Sequence, residues 1–288
     1  DVKSAAKVSG SRFGYLKNEG ALLEFALIQL ALEIFVKEGF SPVIPPVLFR
    51  RSVAIGLGYF HGKDNDQYYW VYEPDLKSSN PEDHPGYYLA GTAEHSIVPM
   101  HMGETFNKDE LPKRYVGFSS SFRREAGTYG KDTRGILRVH QFDKVEMVSF
   151  TTEENDDKEH EYLLSLEEKL FQFLDIPYQV VKMCTGDLGF PIARKYDIEA
   201  WMPGENKYRE VTSTSTTTDF QSRRLNIKYI KDQKSNLKDY AHILNGTAFA
   251  IGRTIISILE NYQQKDGNVL IPKILQKYLH FEKITPKK

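Results

Sequence analysis

The chain has 288 residues, with 38 Lys and Arg against 39 Asp and Glu, a length that allows one large domain or two small ones. The near-zero net charge excludes a global basic field of the kind that draws a whole domain to nucleic acid, so any anion site must be local. The single cysteine, Cys184, excludes an internal disulfide and a multi-cysteine zinc site, and we expect a buried, inert thiol in a reducing compartment.

The clearest helix is predicted over residues 19–38, where good helix formers dominate and Gly39 provides a stop. Its apolar side chains cover more than half of its circumference: Leu22, Leu23, Phe25, Ala26, Leu27, Leu30, Leu32, Ile34, Phe35 and Val36. We expect burial on most sides, either in the core of one chain or at a dimer interface. No run of about 18 apolar residues and no signal peptide is recognisable, so we expect no membrane span.

Short strands are predicted at 67–72 and 86–90, and Thr92 is placed to cap a short helix at 92–98. The 3/4 spacing of leucines predicts a second long helix over 153–174, with residues 153–161 as a solvated, charged end. Further strands are predicted at 178–183, 196–202 and 208–218, and a last helix from near Gly246 to about Tyr262. Strands grouped together, with helices inserted among them, indicate one α+β domain over residues 1–288 with a mainly antiparallel sheet.

Residues 115–150 carry the most informative pattern, two alternating strands around a glycine-rich loop. Arg123 and Glu125 share one face of the first strand. The matching face of the second strand carries Arg138, His140, Phe142, Lys144 and Glu146. Gln141 and Asp143 are polar exceptions on its otherwise apolar face. Arginines and a ring on one surface suit an anionic, planar ligand such as a nucleotide; an antiparallel sheet with one solvated face is the alternative.

Two further segments carry unusual polar patterns. In residues 209–218, strand alternation would put these side chains on one face: Glu210, Thr212, Thr214 and Thr216. Over 248–262, helical spacing predicts a polar stripe away from the core: Arg253, Ser257, Glu260 and Gln264. The chain has no GxGxxG between strand and helix, no GxxxxGK[ST], no HExxH and no GxSxG, which excludes the common nucleotide folds by motif.

Four segments in order give a more specific result. FRREAG (122–127) with RVHQFDKVE (138–146) resembles motif 2 of the class II aminoacyl-tRNA synthetases, in wording similar to the seryl family. GFSPVIPPVLFR (39–50) resembles motif 1, with Pro46 as its proline. GTAEH (91–95) resembles the TxE loop of the seryl family, and LNGTAFAIGRTIISILENYQ (244–263) resembles motif 3. The resemblance covers about residues 4 to 279 and implies the class II catalytic fold, a mainly antiparallel sheet flanked by helices.

The resemblance also implies roles for individual residues. Arg123 and Arg253 are the catalytic residues, at the α-phosphate and the γ-phosphate of ATP. The implied ATP-binding set is Arg123, Glu125, Arg138, Val139, Phe142, Glu210, Ser213 and Arg253. The implied serine-binding set is Thr92, Glu94, Arg123, Glu146, Asn245 and Thr247. Gly246 would let the backbone approach the ligand.

Glu210 and Ser213 correspond to the ligands of Mg²⁺, and no zinc is expected. Their spacing of three has the wrong parity for a flat strand, so a β-bulge or a contact through water is required. The loop residues Tyr129, Lys131, Asp132 and Arg134 are expected to meet the acceptor end of tRNA.

The implied activity is that of a ligase of protein biosynthesis, which activates serine with ATP to seryl-adenylate and transfers serine to tRNA(Ser). The family carries an N-terminal helical arm that this sequence does not show before Asp1, so we expect activation to survive and transfer to be impaired. A cytoplasmic homodimer is expected.

Two alternatives stay open. An amino acid:carrier protein ligase would need zinc with cysteine ligands, which one cysteine does not provide. A catalytically silent synthetase paralogue is disfavoured because both motif arginines are present.

Overall fold

Helices and strands follow one another irregularly in this computed structural model, which describes residues 1–59, 67–71, 86–126 and 135–286. The α-helices are α1 Val2–Val8, α2 Glu19–Lys37, α3 Arg51–Leu57, α4 Glu94–Ile97, α5 Asp156–Phe173, α6 Phe220–Leu225 and α7 Ile251–Tyr262. The strands are β1 Ser41–Val43, β2 Leu48–Arg50, β3 Trp70–Val71, β4 Tyr87–Leu89, β5 Thr105–Asn107, β6 Lys113–Phe122, β7 Gln141–Thr151, β8 Tyr178–Lys182, β9 Arg194–Met202, β10 Lys207–Thr216, β11 Lys228–Asp232, β12 Leu237–Tyr240, β13 His242–Ala250, β14 Val269–Leu270 and β15 Lys283–Ile284.

The main sheet has seven strands in the order β1-β6-β7-β13-β10-β9-β8. Only the edge pair β1 and β6 is parallel, and every other pair in this sheet is antiparallel. Smaller sheets join β12-β11-β5, β2-β4-β3 and β14-β15. The predicted α+β class with a mainly antiparallel sheet flanked by helices is confirmed.

The largest core cluster joins α2, α5 and α7 to the main sheet. The inner side of α2 is buried through Leu23, Leu27 and Phe35, as the apolar pattern predicted. The opposite side of α2 keeps large apolar side chains exposed in the single chain. No helix within the described ranges is both long enough and apolar enough to span a bilayer.

The expectation of a solvated end at 153–161 is confirmed for residues 153–155, 157, 158 and 161, which are exposed. It is wrong for the remaining three, through which the acidic start of α5 is docked on the sheet. Asp156 and Glu159 are buried. Arg114 donates from Nε and Nη2 to the two carboxylate oxygens of Glu159, at 2.6 Å each, and His242 Nδ1 lies 2.6 Å from Asp156 Oδ2. These carboxylates can be buried because the side chains of strand residues give them hydrogen bonds and opposite charge. The expectation of a buried thiol is also wrong, since Cys184 is exposed.

The hairpin of β6 and β7 is present but shorter than predicted. Arg123 and Glu125 lie beyond the end of β6, and Arg138 lies before β7. The pairing of β6 with β7 ends here because backbone groups hydrogen-bond to other segments instead. The N–H of Arg124 donates to Gln67 O at 2.8 Å, and that of His140 donates to Arg12 O at 2.9 Å. Glu125 also has a φ of 50°, which no regular strand residue adopts.

Two helix starts differ from the prediction. The last helix begins at Ile251, because residues 246–250 pair with β7 as part of β13. The short helix begins at Glu94, whose backbone N–H donates to Thr92 Oγ1 at 3.4 Å. Thr92 therefore stays near the helix start, as predicted, although the helix itself is shorter.

Asp143, the polar exception on β7, faces α2. Ser120 Oγ donates to Asp143 Oδ1 at 2.5 Å, and the carboxyl of Glu24 shares a hydrogen bond with Asp143. Burial, this hydrogen bond and repulsion from Asp143 raise the pKa of Glu24 from 4.5 to about 8. The folded chain therefore holds Glu24 protonated at neutral pH, whereas the unfolded chain ionises it.

We predict that Glu24→Gln stabilises the chain increasingly as the pH rises. The folded pKa of about 8 lies above the ordinary 4.5. Between these two pH values Glu24 ionises in the unfolded chain, which favours unfolding, and glutamine removes that effect. Allowing for solvent screening, the gain should reach about 1–2 kcal/mol near pH 8 and vanish near pH 4. Urea denaturation at both pH values measures it. In an Asp143→Asn background the gain should shrink, and a gain independent of pH would contradict the assignment.

Candidate active site

A cavity of about 510 Å³ opens on the face of the main sheet opposite α2 and α5. Its wall is formed by the facing ends of β6 and β7, by β10 and β13, and by the starts of α4 and α7. Every residue predicted from the sequence to bind ATP, serine or Mg²⁺ lies on this wall: Thr92, Glu94, Arg123, Glu125, Arg138, Val139, Phe142, Glu146, Glu210, Ser213, Asn245, Thr247 and Arg253. The loop residues Tyr129, Lys131, Asp132 and Arg134 lie outside the described residues.

The floor of the cavity holds two carboxylates, Glu94 and Glu146, each 1% exposed. Thr247 lies opposite Glu146 in the ladder, and its hydroxyl donates to Glu146 Oε2 at 3.0 Å. Asn245, two residues earlier on β13, donates from Nδ2 to Glu94 Oε2 and more weakly to Glu146 Oε1, at 3.4 Å. Strand alternation thus brings amide, hydroxyl and carboxylate oxygens to one small region.

Two residues that sequence reasoning missed hold Glu94 in place. Tyr59 donates from its hydroxyl to Glu94 Oε1 at 2.6 Å, and Gln221 Nε2 donates to the same oxygen at 2.9 Å. Burial raises the pKa of Glu94 even though these donors favour the ionised form. No local pattern could have identified these partners, because they lie on distant segments of the chain.

Lys144 also belongs to the floor, although it was absent from the predicted site set. Its Nζ lies 2.7 Å from Glu146 Oε2, with both side chains buried. Burial lowers the pKa of Lys144, and the attraction of Glu146 opposes that shift. The alternation of the second strand had already placed Lys144 on this face, so the signal was in the sequence.

The mouth of the cavity carries the aromatic and basic residues. The guanidinium of Arg123 lies 5.3 Å from the centroid of the Phe142 ring, within the range of a cation–π contact, and its Nε donates to Gly91 O at 3.3 Å. Arg138 forms an ion pair with Glu125 at 2.7 Å. The expected shared surface of arginines, carboxylates and a ring is therefore present, but it lies at the end of the hairpin where the pairing of β6 and β7 stops.

A β-bulge gives Glu210 and Ser213 a common side. The register between β10 and β9 shifts between Glu210 and Thr212, so the extra residue, Val211, reverses the alternation. Their spacing of three left a bulge or a contact through water open, and the structure shows the bulge. It also makes the predicted face of Glu210 with the threonines wrong, since Thr212 and Thr216 donate to Glu167 and Asp156 of α5, respectively.

Arg253, at the start of α7, contacts the same strand. Its Nη1 donates to Glu210 O at 3.0 Å and to Glu210 Oε2 at 3.1 Å. Burial opposes ionisation of Glu210, but Arg253 and Lys195 outweigh it and hold the pKa of Glu210 below its ordinary value.

The predicted polar stripe of the last helix is wrong at Ser257, which is fully buried and donates to Arg253 O at 3.0 Å.

The Glu210 and Ser213 pair offers carboxylate and hydroxyl oxygens, the hard donors that Mg²⁺ prefers when it keeps several waters. Within the described ranges, no group of three or more His, Cys, Asp or Glu side chains could hold a metal ion on its own. The donor set therefore fits a cation shared between protein and phosphate oxygens.

Gly246 faces the core side of the sheet. A Cβ there would lie 2.8 Å from Glu167 Oε1, 2.9 Å from Met147 Cε and 3.2 Å from Thr214 Oγ1. The expectation that this glycine lets backbone approach a ligand is wrong, because the space it leaves is taken by a buried carboxyl and a methionine.

Comparison with known proteins assigns the fold to a class. The family model described as the tRNA synthetase class II core domain (G, H, P, S and T) matches residues 69–262. The chain therefore belongs to this family of class II synthetase core domains.

Several relatives of the chain are serine–tRNA ligases. The chain is 51% identical over 288 residues to the serine–tRNA ligase of Acidothermus cellulolyticus, covering all of this chain and 65% of the relative. A crystal structure of seryl-tRNA synthetase from Pyrococcus horikoshii complexed with ATP superposes with a TM-score of 0.91 at 49% identity, over 100% of this chain and 62% of the other. The cytoplasmic serine–tRNA ligase of Naegleria fowleri in complex with AMP gives 0.90 at 34% identity, over 100% and 65%. The chain thus spans less than two thirds of these relatives.

We predict that Gly246→Ala destabilises the chain by about 1–3 kcal/mol, because the added methyl group must displace Glu167 or Met147 from a packed interior. Chemical denaturation measures the loss. Gly20→Ala is the matched control: its Cβ would meet only Leu16 Cδ2, at 4.0 Å, so its stability should stay the same or rise slightly. Equal stability of the two variants would contradict this packing account.

Proposed function

We propose that the chain activates serine with ATP, giving seryl-adenylate and pyrophosphate, for transfer of serine to tRNA(Ser). The observation that carries this proposal is one cavity with carboxylate, amide and hydroxyl groups on its floor and two arginines nearer its mouth. The relatives named above are serine–tRNA ligases, and two of their structures hold ATP or AMP. A nucleotide suits the mouth of the cavity, and the amino acid suits its floor.

Serine recognition is assigned to the floor. Glu94 and Glu146 provide negative charge for the substrate ammonium, and Thr92, Asn245 and Thr247 provide groups that can pair with its hydroxyl. All five line the cavity. A site built to hydrogen-bond a hydroxyl rejects an analogue without one, because the buried polar groups are then left unpaired.

ATP recognition is assigned to the mouth. Phe142 would stack on the adenine, Glu125, Arg138 and Val139 would surround it, and Arg123 would meet the α-phosphate. Arg253 would hold the outer phosphates. Glu125 and Arg138 support one another through their ion pair.

The reaction needs no protein nucleophile. One oxygen of the serine carboxylate forms a bond to the α-phosphorus, while the bond from that phosphorus to the bridging oxygen of pyrophosphate breaks. Arg123 would orient the carboxylate against the phosphate and stabilise charge on the α-phosphoryl oxygens. Arg253 would stabilise the leaving pyrophosphate.

Glu210 and Ser213 would hold Mg²⁺, which neutralises phosphate charge when bound. The bulge at Val211 places both side chains on the same side of the strand, which supports this assignment. We propose that serine recognition uses oxygen and nitrogen donors without zinc, as the single cysteine of the chain suggests.

The domain organisation, the location and the contact with tRNA are proposals as well. We propose a single catalytic domain, a cytoplasmic location like that named for the Naegleria relative, and contact with tRNA(Ser) through the loop around Tyr129. The sequence-based expectation of impaired transfer stays a prediction, tested by comparing serine transfer with serine activation in this chain.

We also propose that two copies pair through α2. Leu22, Phe25 and Val36 are 49, 60 and 50% exposed, and their spacings of three and eleven residues place them on one side of the helix. Ile44 and Leu48, at 87 and 43% exposure, extend apolar surface along the predicted motif 1. Such a patch favours a protein partner over water.

We predict serine-dependent exchange of pyrophosphate into ATP, with serine preferred over alanine and glycine by about 100-fold or more. Thr247→Val should reduce the preference for serine over alanine by about tenfold, because the hydroxyl on the floor is lost. Thr151→Val is the matched control, since Thr151 is buried on the same sheet and outside the cavity. Side-by-side assays with serine, threonine, alanine and glycine measure the preference; an inactive wild-type chain would overturn the proposal.

We predict that sedimentation gives twice the chain mass of 33.1 kDa. Phe25→Glu should shift the species to the single-chain mass, because a carboxylate in an apolar interface must be desolvated. Val8→Glu changes an apolar residue that is 70% exposed on α1 and should leave the mass unchanged. A wild-type monomer at micromolar concentration would count against the α2 interface.

A further inference from the structure

The deepest charged groups of the cavity are two carboxylates and one ammonium. Glu94 and Glu146 are 1% exposed, and Lys144 is 6% exposed. Lys144 and Glu146 are two residues apart on β7 and therefore share a face. Taken as ions, the three groups sum to one negative charge, the complement of a single incoming ammonium.

The two oxygens of Glu146 are not equivalent. Oε2 is engaged twice, by Lys144 Nζ at 2.7 Å and by the Thr247 hydroxyl at 3.0 Å. Among the described residues, Oε1 has one long contact, with Asn245 Nδ2 at 3.4 Å, while that amide also donates to Glu94. Lys144 thus fixes the rotation of the carboxylate and leaves Oε1 as the less engaged acceptor.

The ammonium of Lys144 acts beyond this contact. The titratable or charged groups that interact with it are Glu146 on β7, Glu94 and His95 on α4, Glu167 on α5, and Arg123 after β6. Lys144 favours the ionised form of Glu94, whereas Glu146 opposes it. Burial is the largest effect on the pKa of Lys144 and lowers it, whereas Glu146 and Glu94 raise that pKa and so favour the ammonium form.

We propose that Lys144 is a positioning residue for the amino acid: its ammonium orients Glu146 and cancels one charge of the Glu94 and Glu146 pair, so that the floor accepts one substrate ammonium. This inference rests on the proposed serine activation and adds a residue to its specificity. Lys144 touches Glu146 rather than the substrate, so it acts through that carboxylate.

The proposal has a pH signature. Without the cation, two buried carboxylates face each other, and one of them takes up a proton more readily. That proton competes with the substrate ammonium for the same oxygens. Serine binding should then weaken as the pH falls, and this pH dependence should be absent or smaller with Lys144 in place.

Lys144→Met and Lys144→Gln test the inference by pyrophosphate exchange. Both variants should raise the KM for serine by about tenfold or more at neutral pH. In both, this KM should fall as the pH rises from about 6 to about 8, while that of the wild type stays nearly constant over this range. The KM for ATP should change by less than about twofold, because Lys144 lies on the floor, away from the mouth.

The two variants separate charge from hydrogen bonding. Glutamine can still donate to Glu146, so a role limited to holding that side chain in place would leave Lys144→Gln close to the wild type, without a pH-dependent KM, and would overturn the proposal. Lys231→Met is the matched control: Lys231 pairs with Asp239 at 2.9 Å on a different sheet, and its variant should behave as the wild type. Circular dichroism checks that each variant is folded.

The outcomes also separate this inference from the proposed function. A wild-type chain without serine-dependent exchange refutes the proposed function. An active wild type combined with an unchanged KM for serine in Lys144→Met refutes the role of Lys144 alone.

Discussion

The cavity exists because buried charges on its floor compensate one another. Removing a carboxylate from water costs several kcal/mol unless opposite charge and hydrogen bonds replace the lost hydration. Glu146 receives Lys144 and Thr247, and Glu94 receives Tyr59, Gln221 and Asn245. These partners come from β7 and β13, from α6 and from Tyr59 after α3, so the floor forms only when these separate segments have come together.

Two β-bulges decide which side chains face the cavity. One lies between Glu210 and Thr212, and the other lies between Thr247 and Phe249. The second bulge lets Thr247 face the cavity while Phe249, two residues later, is fully buried in the core. A regular strand would put both on one face, so the polar floor and the apolar core could not share β13 without it.

Much of the site was predictable where the pattern is local. Alternation along β7 placed Phe142, Lys144 and Glu146 together, and the spacing of Glu210 and Ser213 left a bulge or a contact through water as the alternatives. What was not predictable depends on contacts between distant segments. The partners of Glu94 and the docking of α5 follow from tertiary packing, and residues 246–250 continue as a strand because they pair with β7. Hydrophobic periodicity carries no information about such pairing.

The charge distribution along the cavity also gives a direction to the proposed substrate. The floor has a negative sum through Glu94, Glu146 and Lys144, whereas the mouth presents Arg123 and Arg253. An amino acid carries its ammonium and its carboxylate on one carbon, so it can satisfy both regions in a single orientation, with the ammonium inward and the carboxylate toward Arg123. That orientation points the carboxylate at the region assigned to the α-phosphate. The negative floor and the positive mouth therefore place the nucleophilic oxygen of the carboxylate where the proposed reaction needs it.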